Sequence, residues 1–208
     1  MTLQTDYERR RRTTLAPLAV LLEKHISDLL RGEPRIDRVS ARAKDVDSFL
    51  DKASKTLNDG APKYADPMVQ IQDQVGARIV TFYRSDIERV SAVIDRYFRQ
   101  IEFQEKTPVS EWEFGYFGHH FVLLVPTDLI DSNWSREDTP PVFELQLKTL
   151  FQHSWSEANH DLGYKPEDIP FLSQDKRLLA YASAQAWGAD RIFDEMFLER
   201  RQRETAPA

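Results

Sequence analysis

The stretch Val142 to Lys148 alternates strictly, with Phe143, Leu145 and Leu147 on one side and Glu144, Gln146 and Lys148 on the other. Strand side chains repeat every two residues, so this segment needs a sheet with one face on a core and the other open to solvent or to chemistry. The next residues, from Thr149 onward, read as a helix. His153, Glu157 and His160 recur there at spacings of four and three, which puts all three on one side. A carboxylate-bearing strand face that runs into a helix with two imidazoles suggests the floor of a site.

The other segments supply layers for that strand. Tyr7 to Arg31 reads as a helix with an apolar stripe of Leu15, Leu18, Leu21, Leu22, Ile26, Leu29 and Leu30, and Pro17 is placed to split or kink it. The run Arg9 to Arg12 either meets phosphate or RNA or is a solvated helix end, and the second is the commoner outcome. Arg38 to Lys44 reads as a short strand with a basic face. From Asp45 the period changes to helical, with Val46, Phe49, Leu50, Ala53 and Leu57 inward. Asp59 to Pro67 is a turn-rich junction. A β-rich run, Ala77 to Tyr83, precedes an amphipathic helix capped by Ser85 or Asp86, with Ile87, Val90, Val93, Ile94, Tyr97 and Phe98 inward.

Strands at Ile101 to Gln104 and His119 to Val125 precede Val142 to Lys148, and a long helix spans Lys176 to Arg203. This order predicts an α+β fold: a mixed, mainly antiparallel central sheet of about five strands flanked by helices. The expected division is a helical extension over 1–34, a central domain over 35–170 and a second helical extension over 171–208. The last helix carries more apolar side chains than a terminal helix usually leaves bare, which predicts a homo-oligomer through the terminal helices.

Composition narrows the function. With 208 residues, 41% of them hydrophobic, the chain can bury a sizeable core, and its lack of cysteine excludes disulfides and thiolate chemistry. No apolar run reaches the ~18 residues that span a bilayer, and the first residues lack the apolar stretch of a signal peptide, so the expectation is a cytoplasmic protein with no membrane partner. The net charge of −6 leaves phosphate binding to local basic clusters. Neither GxxxxGK[ST] nor GxGxxG occurs, which removes the common nucleotide fingerprints.

One such cluster comprises Arg42, Lys44, Ser48, Lys52 and Lys55, which can converge on an anion or remain ordinary exposed charges balanced by Asp45, Asp47 and Asp51. Asp73 lies just before Gly76 and Arg78. It is either a cap or a carboxylate held near a central strand by a cation or metal. In the aromatic loop Ser110 to His120, Tyr116 either stacks on a base or fills core.

Four ordered segments, RxKxxxSxxxKxxK, IQDxxGxRIV, GYxxxH and FELQLKTxxQHxWxExxHDLGYK, resemble the RelA/SpoT-type synthetase domain, especially the single-domain small alarmone synthetases, over roughly residues 38 to 165. The resemblance implies a nucleotidyltransferase-like fold. It implies transfer of the β,γ-pyrophosphate of ATP to the 3′-hydroxyl of GDP or GTP, with Mg2+, to make ppGpp or pppGpp. Arg42, Lys44, Ser48, Lys52 and Lys55, with Arg78, then match the ATP phosphate grip. Asp73 and Glu144 match the metal and catalytic carboxylates, with Gln146 beside Glu144. Tyr116, His120, Lys148 and His153 match the acceptor side. This chain departs at GYFGHH, where the family usually reads GYRSxH, and at Lys148, where it usually has arginine. Those departures bear on the acceptor, with the 3′ end of tRNA or an adenosine nucleotide as alternatives. A catalytically silent regulator is a second alternative.

Overall fold

The structure, a computed structural model, describes residues 2–115, 117–162 and 170–205. Strands β1 (Ile36–Ala43), β2 (Val75–Thr81), β3 (Gln100–Lys106), β4 (Gly118–Leu124) and β5 (Val142–Thr149) form one open sheet in the order β1-β2-β5-β4-β3. β2 and β5 run parallel and the other neighbours antiparallel, so the sheet is mixed and mainly antiparallel. The helices are α1 (Leu3–Arg10), α2 (Ala16–Leu29), α3 (Val46–Ala53), α4 (Pro67–Gln70), α5 (Arg84–Tyr97), α6 (Leu150–Leu162) and α7 (Ser173–Thr205).

The alternation of β5 is realised as expected. Phe143, Leu145 and Leu147 are fully buried in a cluster with Leu18, Leu22 and Ile26 of α2 and Ile87, Val90 and Ile94 of α5. With one face covered in this way, Glu144 and Gln146 are left on the other. Tyr97 does not turn inward. It is 55% exposed, because α5 ends there and the chain turns so that Phe98 fills the core instead.

The N-terminal helix begins at Leu3 and is not split by Pro17. A single π turn, Arg11–Leu15, joins α1 to α2, and the Ala16 N–H bonds the Arg11 carbonyl. Proline has no N–H and its ring crowds the carbonyl four residues back, so a locally widened turn accommodates it. Arg9, Arg10 and Arg11 are internal ties rather than a solvated end or a phosphate site. Arg9 forms a fork with Asp138 at 2.5 and 2.8 Å, and buried Arg10 donates to the carbonyls of Asp138 and Met68. Arg11 reaches the Lys44 carbonyl and Asp45. Together with Tyr7, which stacks on Phe49 at 3.7 Å, these contacts fasten α1 over the β1–α3 turn.

α7 lies across α5 and α6. Its Asp194 accepts from the backbone of Ser85 at the start of α5, and Leu179 accepts from the Trp155 indole of α6. Most of the apolar side chains of α7 stay in solvent, Leu178, Tyr181, Ile192 and Met196 among them. Its buried residues are polar, Ser183 and Asp190.

Asp190 accepts a hydrogen bond from Thr149 Oγ1 at 2.5 Å, and burial pushes its carboxyl from 3.8 up to about 6. The folded state therefore holds a proton that the unfolded chain has lost. This contribution to stability is complete below pH 3.8 and disappears as the pH rises through 6. Asp190→Asn should stabilise the fold at pH 8 by on the order of 2 kcal/mol and have little effect at pH 3.5. Urea unfolding at the two pH values checks the difference.

Candidate functional site

The register of the sheet assembles the polar face row by row. Arg42 of β1, Gly76 of β2 and Glu144 of β5 are aligned, and the next row is Ser40, Arg78, Gln146 and His120 of β4. With strands about 4.8 Å apart, Arg42 and Glu144 are separated by about two strand widths, and the position between them carries no side chain. A Cβ at Gly76 would meet nothing within 4 Å. The result is a cavity of about 210 Å³ lined by Arg42, Gly76, Glu144, Ser40, Arg78 and Gln146 of these rows together with Lys44 and Asp73, with His120 reaching it only through Glu144.

Asp73 sits in the short 3₁₀ turn Gln72–Gln74, just before β2. It caps no helix. Lys44 at 3.0 Å and Lys52 at 2.9 Å both pair with its Oδ2. Burial alone would raise the Asp73 carboxyl, but the two ammonium groups hold it below the usual carboxylate range. Glu144 is arranged in the same way. Burial opposes its charge, yet His120 Nδ1 at 2.9 Å and the Gln146 amide at 3.0 Å keep it below its ordinary value. Asp73 lies near enough to Glu144 for the two charges to oppose each other.

These residues fit a divalent cation. Asp73 Oδ1 and Gln146 Oε1 are buried without a partner among the described residues, and the carboxylates of Asp73 and Glu144 would hold a hard cation such as Mg2+. The helix after β5 offers no second centre. Among the described residues no three His, Cys, Asp or Glu side chains gather to hold an ion, so His153, Glu157 and His160 are not a metal cluster.

α6 instead closes one end of the cavity. Arg78 NH1 donates to Glu157 at 2.6 Å and lies 3.3 Å from His153 Nδ1. Burial and the neighbouring Arg78 lower the His153 imidazole. Lys148 continues the polar face of β5 but lies under α6 rather than in the cavity, 2% exposed, with Nζ 3.1 Å from Ser156 Oγ. Burial, reinforced by Arg78, pushes its ammonium down to about 7.

The sequence pattern thus gathers most of this site and overshoots at two positions. Arg42, Lys44 and Arg78 line the cavity and Lys52 joins it through Asp73, but Ser48 and Lys55 do not line it. Lys55 lies beyond the C-terminal end of α3, where the helical spacing no longer applies, and is exposed. Tyr116 lies outside the described residues. Ser40 escapes the motifs, while Gly76 and Glu157 stand in them without an assigned role, Glu157 serving as the partner of Arg78. Ser40 was findable, being two residues before Arg42 on the same strand face. The pairing of Glu157 with Arg78 depends on a contact between distant segments.

Comparison with known proteins gives one direction. A family model described as a region found in RelA/SpoT proteins matches residues 41–169. GTP pyrophosphokinase YjbM of Bacillus subtilis (strain 168) is 28% identical over 134 residues, which cover 62% of this chain and 57% of that protein, so the match spans less than two thirds of that relative's length. The small alarmone synthetase 1 of Bacillus subtilis, solved bound to its product pppGpp, superposes with a TM-score of 0.72 at 26% identity, covering 95% of this chain and 99% of that one. A GTP pyrophosphokinase family protein from Streptococcus pneumoniae shares the fold over 100% of both chains, with a TM-score of 0.72 at 21% identity. With residues 41–169 matched by the family model, more than half of its length, the chain belongs to the RelA/SpoT family.

Proposed function

We propose that this chain transfers the β,γ-pyrophosphate of ATP to the 3′-hydroxyl of GDP or GTP and releases AMP. The observation that carries the reading is the cavity in which Arg42, Lys44 and Arg78 face Asp73 and Glu144 across the side-chain-free position of Gly76. The acceptor is read from two relatives, one named a GTP pyrophosphokinase and one solved with pppGpp.

In this reading the 3′-oxygen attacks the β-phosphorus, the bond from that phosphorus to the α–β bridging oxygen breaks, and AMP leaves with the electron pair. Such a transfer demands positioning and charge neutralisation more than covalent help. Arg42 makes no ion pair among the described residues and is available to phosphate oxygens. Lys44 and Lys52 are held by Asp73 until phosphate oxygens compete for them. Mg2+ bound between Asp73, Glu144 and the phosphates would neutralise charge on the transferred group. Glu144 takes a hydrogen bond from the 3′-hydroxyl, aims it, and receives its proton as the new O–P bond forms, passing it on to solvent. Gln146 and His120 fix the Glu144 carboxylate in place.

The test is incubation with ATP labelled in its β- and γ-phosphates, Mg2+, and in turn GDP, GTP, ATP and deacylated tRNA. Label on GDP or GTP is the expected result. Label on tRNA, or a labelled adenosine nucleotide with more phosphates than ATP, would reassign the acceptor, and AMP release with no labelled acceptor would overturn the transfer.

Glu144→Gln preserves the size of the side chain and should lower kcat by about 10²- to 10⁴-fold. Gly76→Val separates folding from function. Valine suits a strand and meets open space, so thermal stability should hold or rise by up to about 1 kcal/mol. The branched side chain would occupy the cavity between Arg42 and Glu144, so the KM for ATP should rise at least about 10-fold; unchanged kinetics would show that substrate does not enter there.

A further inference from the structure

The polar cavity on the catalytic face is not the roomiest in the molecule. A second cavity, of about 290 Å³, opens on the opposite face of the sheet between α5, α6, α7 and the loop that precedes β4. His119 lines this cavity while His120, the next residue, bonds Glu144 on the other face, because adjacent strand residues point to opposite sides.

Two of its lining residues lack partners that their burial demands. Asp190 is 2% exposed, and its Oδ1 is buried with no hydrogen bond among the described residues. His119 Nδ1 is in the same condition, and its Nε2 faces Glu105 at 3.8 Å. Burial lowers the His119 imidazole, so the ring is neutral at pH 7; with the proton on Nε2 toward Glu105, Nδ1 is an acceptor. Two buried acceptors without donors are costly unless something supplies N–H or O–H groups.

The rest of the lining describes what would supply them. Glu88 and Glu105 join Asp190 against Arg84 and Lys106, three carboxylates against two cations, a balance that disfavours phosphates. Trp155, Trp187 and Phe117 offer flat apolar walls.

We propose that this cavity is a second ligand site, distinct from the nucleotide face, for a flat, unphosphorylated molecule with an N–H donor edge of the amidine or aminopurine type, held by Asp190 and His119. The site does not depend on the pyrophosphate-transfer reading. It does adjoin that chemistry: Gly115, Phe117, Gly118 and His119 form its wall, and the buried Ser183 hydroxyl of α7 ties the Gly115 carbonyl at 2.6 Å.

Benzamidine and 2-aminopurine are suitable probes, titrated into the full chain by calorimetry in the presence of saturating α,β-methylene-ATP and GDP, which keep them off the nucleotide face. Binding should weaken at least 10-fold in Asp190→Asn, which removes the anionic acceptor. It should weaken likewise in Ala186→Phe, which fills the cavity and leaves Asp190 in place. Both variants should bind α,β-methylene-ATP as the parent does, which shows that they are folded. Equal probe affinity in the parent and both variants, or no binding to the parent, would overturn the proposal and leave water as the partner of the two acceptors.

Discussion

The parallel pairing of β2 with β5, Gly76 beside Glu144 and Arg78 beside Gln146, is the constraint on which the rest of the site depends. Strand side chains alternate, so a slip of one residue would send Glu144 and Gln146 into the core and bring Leu145 to the surface. Three fully buried residues of β5 resist that slip. Hydrophobic burial on one face thus sets the position of the polar groups on the other.

The two carboxylates of the cavity would be expensive to bury alone. Each is held ionised by neighbours from other segments: Asp73 by Lys44 and Lys52, Glu144 by His120 and Gln146. The cations that neutralise Asp73 are also the ones a polyphosphate would engage. Charge balance in the fold by itself and charge balance with substrate therefore use the same side chains, and the exchange needs no rebuilding of the site. Arg78 is the counterpart at the other end, held by Glu157 of α6.

The terminal helices serve this arrangement from outside. α1 is anchored through Tyr7 to the end of the basic strand at Lys44 and through Arg9 and Arg10 to Asp138 in the connection before β5. α7 reaches the loop before β4 through Ser183 and caps α5 through Asp194. Its inward side mixes the buried Ser183 and Asp190 with stacking of Phe193 on Phe151 and Phe197 on Tyr83, while Leu178, Tyr181, Ile192 and Met196 stay exposed. The oligomer expected from the sequence of this helix is a matter for measurement of the oligomeric state.

Much was legible in the order of residues. Alternation in β5, the change of period after Asp45 and the helical stripes of α2 and α5 are local patterns, and local patterns survive in a linear chain. Motif spacing likewise groups Arg42, Lys44, Asp73, Arg78, Glu144 and Gln146 without any structure. What the sequence alone determined is therefore which faces are apolar, which residues carry charge and which family the pattern resembles. The tertiary structure decided the rest. It used the arginines of α1 as internal ties, excluded Ser48 and Lys55, buried Lys148 under α6, and set Gly76 as the gap in the row between Arg42 and Glu144. It also opened a cavity around Asp190 and His119. Most of these turn on contacts between separate segments, where burial and partner geometry, not periodicity, assign the role of a charged side chain, while Lys55 drops out because α3 ends before it.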